Sequence, residues 1–302
     1  MKQIIFKIFI TVALASSVMI SAVVQETTAM PFAALPVNAE TASKAGISLT
    51  DNILFHGSTL DASAGYMSWS PSYLPVGYMN INADYCLNGK TSFSLDGLYG
   101  MGQEYDVYNS GGFKTGTYKP SQMLIGLGAG YRFMDCLSAE IRLKYMSDSP
   151  APETSYGAYG ADVTVSGFFE VSPHDHIAAE VGGHSIGTKV TSASGAKFPL
   201  PSSLRVAGAY IHDFNQKNSL SVLAQADWYL HNAFGAALAA EAEIAGILSV
   251  SAGYCLGVKH VLPSFASTGI GLHFAGININ ATYLFGNETT RNSLALSLGY
   301  RF

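Results

Sequence analysis

Charge is scarce in this chain. Lys and Arg number 16 and Asp and Glu 21 among 302 residues, so charged side chains make up 12% of it, about half the share of an ordinary soluble domain. There is no basic cluster, and the formal charge is -5, so nucleic acid is not an expected partner. Long hydrophobic runs are also missing. Beyond the N-terminus no apolar stretch approaches the ~20 residues of a membrane helix. Cysteine is limited to Cys86, Cys136 and Cys255. They are an odd number, far apart, each in or beside a strand-like run, so they read as structural with no disulfide assigned.

What is present is apolar and aromatic: 48% hydrophobic residues, with 31 Gly, 17 Tyr and 16 Phe. Such a composition suits a lipid-facing β-barrel, although a soluble β-sandwich would also satisfy it. The first residues carry Lys2 and Lys7, an apolar run from Ile8 to Ile20, and small residues at Ser21 and Ala22. This pattern predicts a signal peptide over 1–22, with Ala29 as a later cleavage candidate and an uncleaved anchor as the other reading. The absence of a nearby cysteine excludes a lipoprotein anchor.

From residue 62 onward the dominant signal is period-2 alternation, the mark of strands with two unlike faces. In the last segment Leu294, Leu296, Leu298, Tyr300 and Phe302 share one face, and Ser293, Ala295, Ser297, Gly299 and Arg301 the other. A final strand ending in Phe302 resembles the signal read by the barrel-assembly machinery of Gram-negative outer membranes. Alternation predicts about fourteen strands, near 62–69, 75–86, 90–99, 121–133, 136–147, 158–171, 174–186, 202–214, 218–230, 234–245, 246–258, 267–275, 276–284 and 292–302. Tight turns follow the even-numbered strands, as at Asn88-Gly89, Ala245-Gly246 and Ala275-Gly276. Mostly longer loops follow the odd-numbered ones, as at 100–120, 148–157 and 187–201. A Greek-key sandwich has no reason to sort its connections in this way. A membrane barrel with both termini in the periplasm does. The fold class expected is therefore all-β: a transmembrane antiparallel β-barrel over 62–302, in the outer membrane of a Gram-negative bacterium, with lipid as its surroundings.

Residues 23–61 do not alternate and form a periplasmic or lumenal segment. Two glycine ladders bear on where it sits. Gly126, Gly128 and Gly130, and likewise Gly269 and Gly271, have inward parity, and glycine lets another backbone come close. They predict smooth strips that take the N-terminal segment as a plug. The competing reading is that they only ease the curvature of the barrel.

Several motifs suggest chemistry and lack the context for it. Gly183-His184-Ser185-Ile186-Gly187 has the spacing of a nucleophile elbow, but no helix pattern follows. Gly126-x-Gly-x-Gly lies within a strand rather than between strand and helix. His174-Asp175-His176 could offer two ligands on one face, with no third grouped beside them. Asp227 with His231, and His260, could sit at a rim as a base and its orienting acid, or simply as polar rim residues. The chain reads as a non-enzyme without a cofactor or metal.

Glu140, Arg142, Lys144, Arg205, Asp227, Glu241, Glu243 and Arg301 all have parity away from lipid, where a charge at the midplane would cost about 2–4 kcal/mol. Both signs occur, which fits a packed, paired interior better than a single-sign conduit. The 100–120 loop holds Tyr105, Tyr108, Phe113 and Tyr118. These aromatics suit a partner-binding surface, or equally an interface girdle or a self-packed loop.

Leu35-Pro36-Val37-Asn38-Ala39, Ser68-Trp69-Ser70-Pro71, Gly116-Thr117-Tyr118-Lys119-Pro120, the run Leu200-Pro201-Ser202-Ser203-Leu204-Arg205 and the terminal Leu298-Gly299-Tyr300-Arg301-Phe302 together resemble the PorV/PorQ family, barrels of the FadL-like group. The resemblance is diffuse and covers most of the chain after the leader. It implies a part in type IX protein secretion: a barrel that binds or shuttles secreted cargo through extracellular loops, with the translocon and cargo C-terminal domains as partners. The alternative function is a FadL-like transporter of small hydrophobic compounds across the outer membrane.

Overall fold

The alternating segments all become strands of one closed sheet. The computed structural model describes residues 28–49, 52–69, 76–258, 261–286 and 293–302. The leader expected at 1–22, His260 and most of the 286–291 loop lie outside them. The strands, in chain order, are β1 (Leu60–Trp69), β2 (Val76–Leu87), β3 (Thr91–Met101), β4 (Tyr105–Tyr108), β5 (Lys114–Tyr118), β6 (Ser121–Met134), β7 (Leu137–Ala151), β8 (Thr154–Ser172) and β9 (Asp175–Gly187). They continue with β10 (Val190–Thr191), β11 (Lys197–Phe198), β12 (Ser203–Asn215), β13 (Asn218–Tyr229), β14 (Ala233–Ile244), β15 (Leu248–Leu256), β16 (Phe265–Phe274), β17 (Ile277–Gly286) and β18 (Ser293–Arg301).

Fourteen of these pair antiparallel into a barrel; β4–β5 and β10–β11 are separate two-stranded hairpins in its loops. The seam joins β1 to β18 from Asp61↔Arg301 to Ser68↔Leu294. The Phe302 backbone extends that seam, exchanging hydrogen bonds with Leu60 at 2.8 and 2.9 Å. Closure removes the unpaired edge that no sheet can carry into hydrocarbon. Side chains follow the predicted parity. Leu294, Leu296, Leu298 and Tyr300 are exposed on the outer wall, whereas Ser293, Ala295 and Ser297 are buried inside.

One rim carries only tight turns. At Asn88-Gly89, Ala245-Gly246 and Ala275-Gly276 both residues have positive φ, from 52° to 81°, the backbone that lets a two- or three-residue turn follow the twist of its strands. By the usual orientation of outer-membrane barrels this short-turn rim is periplasmic. The opposite rim carries the long loops, with one departure from expectation. The 148–157 segment is not a loop: β7 and β8 continue through it to a turn at 151–154. Past the membrane both faces of a hairpin are wetted, so the alternation that marked the other strands has no cause there.

The segment before β1 threads the barrel from end to end. Ala29 N–H donates to Pro199 O at 2.8 Å in the long loop between β9 and β12, and Met30 and Phe32 are buried among the upper strand ends. A short helix, Ala39–Ser43, is capped by Asn38, whose side chain accepts from Thr41 N. This helix packs against β15, β16, β17, β18 and β1. A second short helix, Ile53–His56, reaches β2, β3 and β6, where Ile53 and Leu54 cover Cys86 near the short-turn rim. The chain then turns into β1.

Candidate functional site: a plugged lumen

The interior is built in three levels. The long-loop end is apolar. Met30 and Phe32 pack there with Trp69, Leu200, Tyr229 and Phe265, together with Val258, Val261 and Leu262 from the loop after β15. Trp69 meets Phe265 edge-on, ring centroids 6.1 Å apart. These residues lie at strand ends and in loops folded inward and form an apolar cluster at that end, with Ser202, Ser203 and His231 also buried there and the Arg205–Asp227 pair two residues below.

At mid-height one half of the wall holds the plug helix. Ser267 Oγ donates to Ser43 O at 2.8 Å, Ser251 Oγ to Ser43 Oγ at 2.7 Å, and Thr282 Oγ1 to Ala39 O at 2.6 Å. Small residues make this docking possible. A Cβ on Gly269 would collide with that of Ser43, and one on Gly253 would lie 2.9 Å from that of Ala45. Lys44, almost wholly buried, pairs with Glu40 at 3.2 Å and lies 3.9 Å from Glu241 on β14.

The other half of the wall carries an arc of ion pairs. Arg142 binds Asp96 at 2.6 Å and Glu140 at 2.7 Å. Lys144 binds Asp162 at 2.5 Å, and Arg205 binds Asp227 at 2.8 Å. A further pair, Arg301 with Asp61, spans the β18–β1 seam on the plug side, near the short-turn rim. Removing one member would leave its partner buried and uncompensated, the costly arrangement for a charge.

Sequence parity thus places Glu140, Arg142, Lys144, Arg205, Asp227, Glu241 and Arg301 within the lumen. Glu243 sits two residues nearer the turn and is exposed. The glycine ladders divide. Gly269 meets the plug, and a Cβ on Gly130 would strike the wall's own Ser92 hydroxyl first and come 3.4 Å from Leu54 of the plug. Gly126 and Gly128 instead make room for Asp96, Ser94, Glu140 and Arg142, and Gly271 for Ser249 and Asn280. Those three clear space for the wall's own polar network rather than for a second backbone. Parity reasoning passed over Asp96, although Phe93 and Leu95 on the lipid face already marked it as inward. It also passed over Lys44, Gly253 and Asp162, whose roles depend on contacts distant in sequence.

The motif residues fall to structural positions. Ser185 sits at φ 50° in an irregularity of the β8–β9 pairing, its N–H donating to Asp162 Oδ1 at 2.7 Å, and β9 runs on to Gly187 without a helix. His176 pairs with Asp213 at 3.0 Å, and His212 with Asp175 at 2.9 Å. Among the described residues no group of three or more His, Cys, Asp or Glu is placed to hold a metal ion. Asp227 is engaged by Arg205 and Gln225, and the His231 ring lies 5.5 Å from that of Tyr229.

The loop aromatics also divide. Tyr105 and Tyr118 stack edge-on at 5.9 Å and donate to Pro150 O and Ser149 O at 3.0 and 3.2 Å, which braces the β4–β5 hairpin against the β7–β8 extension. Both hydroxyls are thus engaged in holding the hairpin, although Tyr105 stays partly exposed. Tyr108 and Phe113, 58% and 73% exposed, stand at the tip.

No protein-family profile and no curated protein matches the chain. Solved structures do. The Ralstonia pickettii toluene transporter TbuX aligns at TM-score 0.58 and 12% identity, over 90% of this chain and all of that one. A TodX monoaromatic hydrocarbon channel mutant (deltaS2S3) aligns at 0.53 and 13% identity, covering 87% and 98%. The CymD monoaromatic hydrocarbon channel aligns at 0.51 and 11% identity, covering 89% and 97%. At such identities the likeness speaks for architecture alone: this chain is a fourteen-stranded Gram-negative outer-membrane barrel with the fold of these channels.

Proposed function

We propose that the protein is a channel for small hydrophobic compounds crossing the outer membrane, held closed by its N-terminal segment. The observation that carries this reading is the grease at the long-loop end of the lumen. A porin for polar solutes would wet that end, whereas Trp69, Phe265, Phe32 and Leu200 offer an apolar solute a surface to partition onto. The hydrocarbon channels that share the fold make the same reading natural. The test is uptake by cells or proteoliposomes of toluene against a polar solute of equal size. Selective, saturable entry of toluene is expected, and equal permeation of both solutes would overturn the reading.

The secretion reading draws on a single feature, the exposed Tyr108 and Phe113 at the β4–β5 tip. It predicts that membranes carrying the Phe113→Ser variant lose a co-purifying secreted protein while hydrocarbon uptake is unchanged.

A further inference from the structure

Four arginines are described, and three of them grip carboxylates: Arg142, Arg205 and Arg301. Arg132, near the end of β6, does not. Among the described residues no carboxylate lies within ion-pair distance of it, and its Nη1 donates to the backbone oxygen of Leu54 at 3.0 Å. The rest of that guanidinium borders a cavity of about 310 Å³ at the short-turn rim, lined among others by Leu54, Thr59, Tyr85, Leu87 and Asn88. A guanidinium offers five N–H donors in a rigid fork that fits a phosphate or carboxylate two bonds at a time. Here only one of its nitrogens is tied down, in a barrel where every other described arginine is neutralised.

We propose that this cavity is an oxyanion site whose occupant is the phosphate of a phospholipid headgroup in the periplasmic leaflet. Position argues for the lipid over free phosphate. The Asn88-Gly89 turn puts the cavity at the rim, where headgroups of that leaflet lie. Tyr85 and Leu87 beside it are exposed on the outer wall, in place to meet the acyl side of the same molecule. Ile53 and Leu54 supply an apolar inner wall for its glycerol. Because Leu54 belongs to the segment that threads the lumen, the bound headgroup would also brace the lower end of that segment through Arg132. The proposal is independent of what the channel carries.

The test uses the full barrel stripped of lipid in detergent, titrated with short-chain phosphatidylglycerol, inorganic phosphate or diacylglycerol, and read by native mass spectrometry. Wild type is expected to hold one phosphatidylglycerol and to ignore diacylglycerol. Arg132→Met should bind about tenfold more weakly, the loss expected of one charge-assisted pair, and Arg132→Lys should fall between. Equal phosphatidylglycerol binding by wild type and Arg132→Met would overturn the site. Inorganic phosphate binding as well as the lipid would overturn the lipid as occupant while keeping the oxyanion chemistry. Should Arg132→Met fail to fold, displacement of phosphatidylglycerol from wild type by phosphate, and the affinity of Arg132→Lys, decide the matter.

Discussion

Replacing Gly269 by valine should undock the plug helix without unfolding the barrel. A Cβ at this position collides with Ser43 of the helix, and the obstacle is the first atom of a side chain whose backbone is itself hydrogen-bonded. Ser43 must therefore retreat by roughly an ångström or more to reach ordinary contact distance. That retreat breaks the bonds from Ser267 to Ser43 O and from Ser251 to Ser43 Oγ. Two such bonds are worth about 1 kcal/mol each, and stranding the buried Ser43 carbonyl adds about 1–3 kcal/mol more. A loss of about 3–5 kcal/mol exceeds what Thr282 and a single turn of helix can hold. The wall loses nothing comparable, because the ladders on either side of Gly269, to Ser251 and Thr282, are backbone pairs. Planar-bilayer recordings should show larger or more frequent conductance steps in Gly269→Val, with heat-modifiable gel mobility unchanged. Gly126→Ala is the control, since its added carbon comes within 3.2 Å only of the Asp96 carboxylate and touches no plug residue. If the two variants conduct alike, the docking argument fails.

Phe32→Ala should leave an apolar hole beneath the loops, weaken the upper strap by about 3–5 kcal/mol and raise toluene uptake; unchanged uptake in whole cells would show that the strap does not limit entry. Arg205→Met should leave Asp227 buried without its cation and cost about 3–5 kcal/mol, visible as a lower urea midpoint for the refolded barrel; a change under about 1 kcal/mol would mean that water already compensates the pair. Glu40→Gln removes the carboxylate that buried Lys44 pairs with at 3.2 Å and should weaken protease protection of the N-terminal segment; unchanged protection would remove Glu40 from the latch.

The wall was legible in the sequence because lipid imposes a rule residue by residue. Leu294, Leu296 and Leu298 must face out, so Ser293, Ala295 and Ser297 must face in, and nothing remote is needed to see it. The tight turns were legible for a similar reason, since pairs such as Asn88-Gly89 accept the positive φ that such a turn demands. The plug was legible only as a possibility. The Ala39–Ser43 helix is too short to declare a face, and the partners that fix Ala39 and Ser43, namely Thr282, Ser251 and Ser267, are more than two hundred residues away. Glycine parity pointed inward for all five ladder glycines, yet a Cβ would meet the plug helix at Gly269 and the wall's own side chains at Gly126, Gly128 and Gly271. An inward glycine records that something needs space, and only coordinates tell a helix from an Arg142 side chain. The loop tyrosines are no easier to tell apart: Tyr105 and Tyr108 look equivalent in sequence, and one braces against Pro150 while the other is 58% exposed at the tip, bonded only within its own hairpin.

The order of levels along the barrel axis bears on how such a channel could work. An apolar solute entering at the long-loop rim meets Met30 and Phe32 first, in surroundings that suit it. The charged arc below does not, because Asp96, Arg142, Lys144 and Asp162 are already paired with one another and a hydrocarbon could enter only by opening those pairs with nothing to replace them. The plug half of the wall is different. Gly253, Gly269 and Ala239 present little more than backbone, and of the wall's charges on that side Arg301 and Asp61 pair with each other while Glu241 faces the helix's own Lys44. Withdrawing the Ala39–Ser43 helix therefore costs the wall a charge contact, Lys44 to Glu241 at 3.9 Å, and leaves the Arg142 and Lys144 pairs intact. On the proposed function, a hydrocarbon path along the axis would run where this helix now sits, and moving it is the step that would open the path.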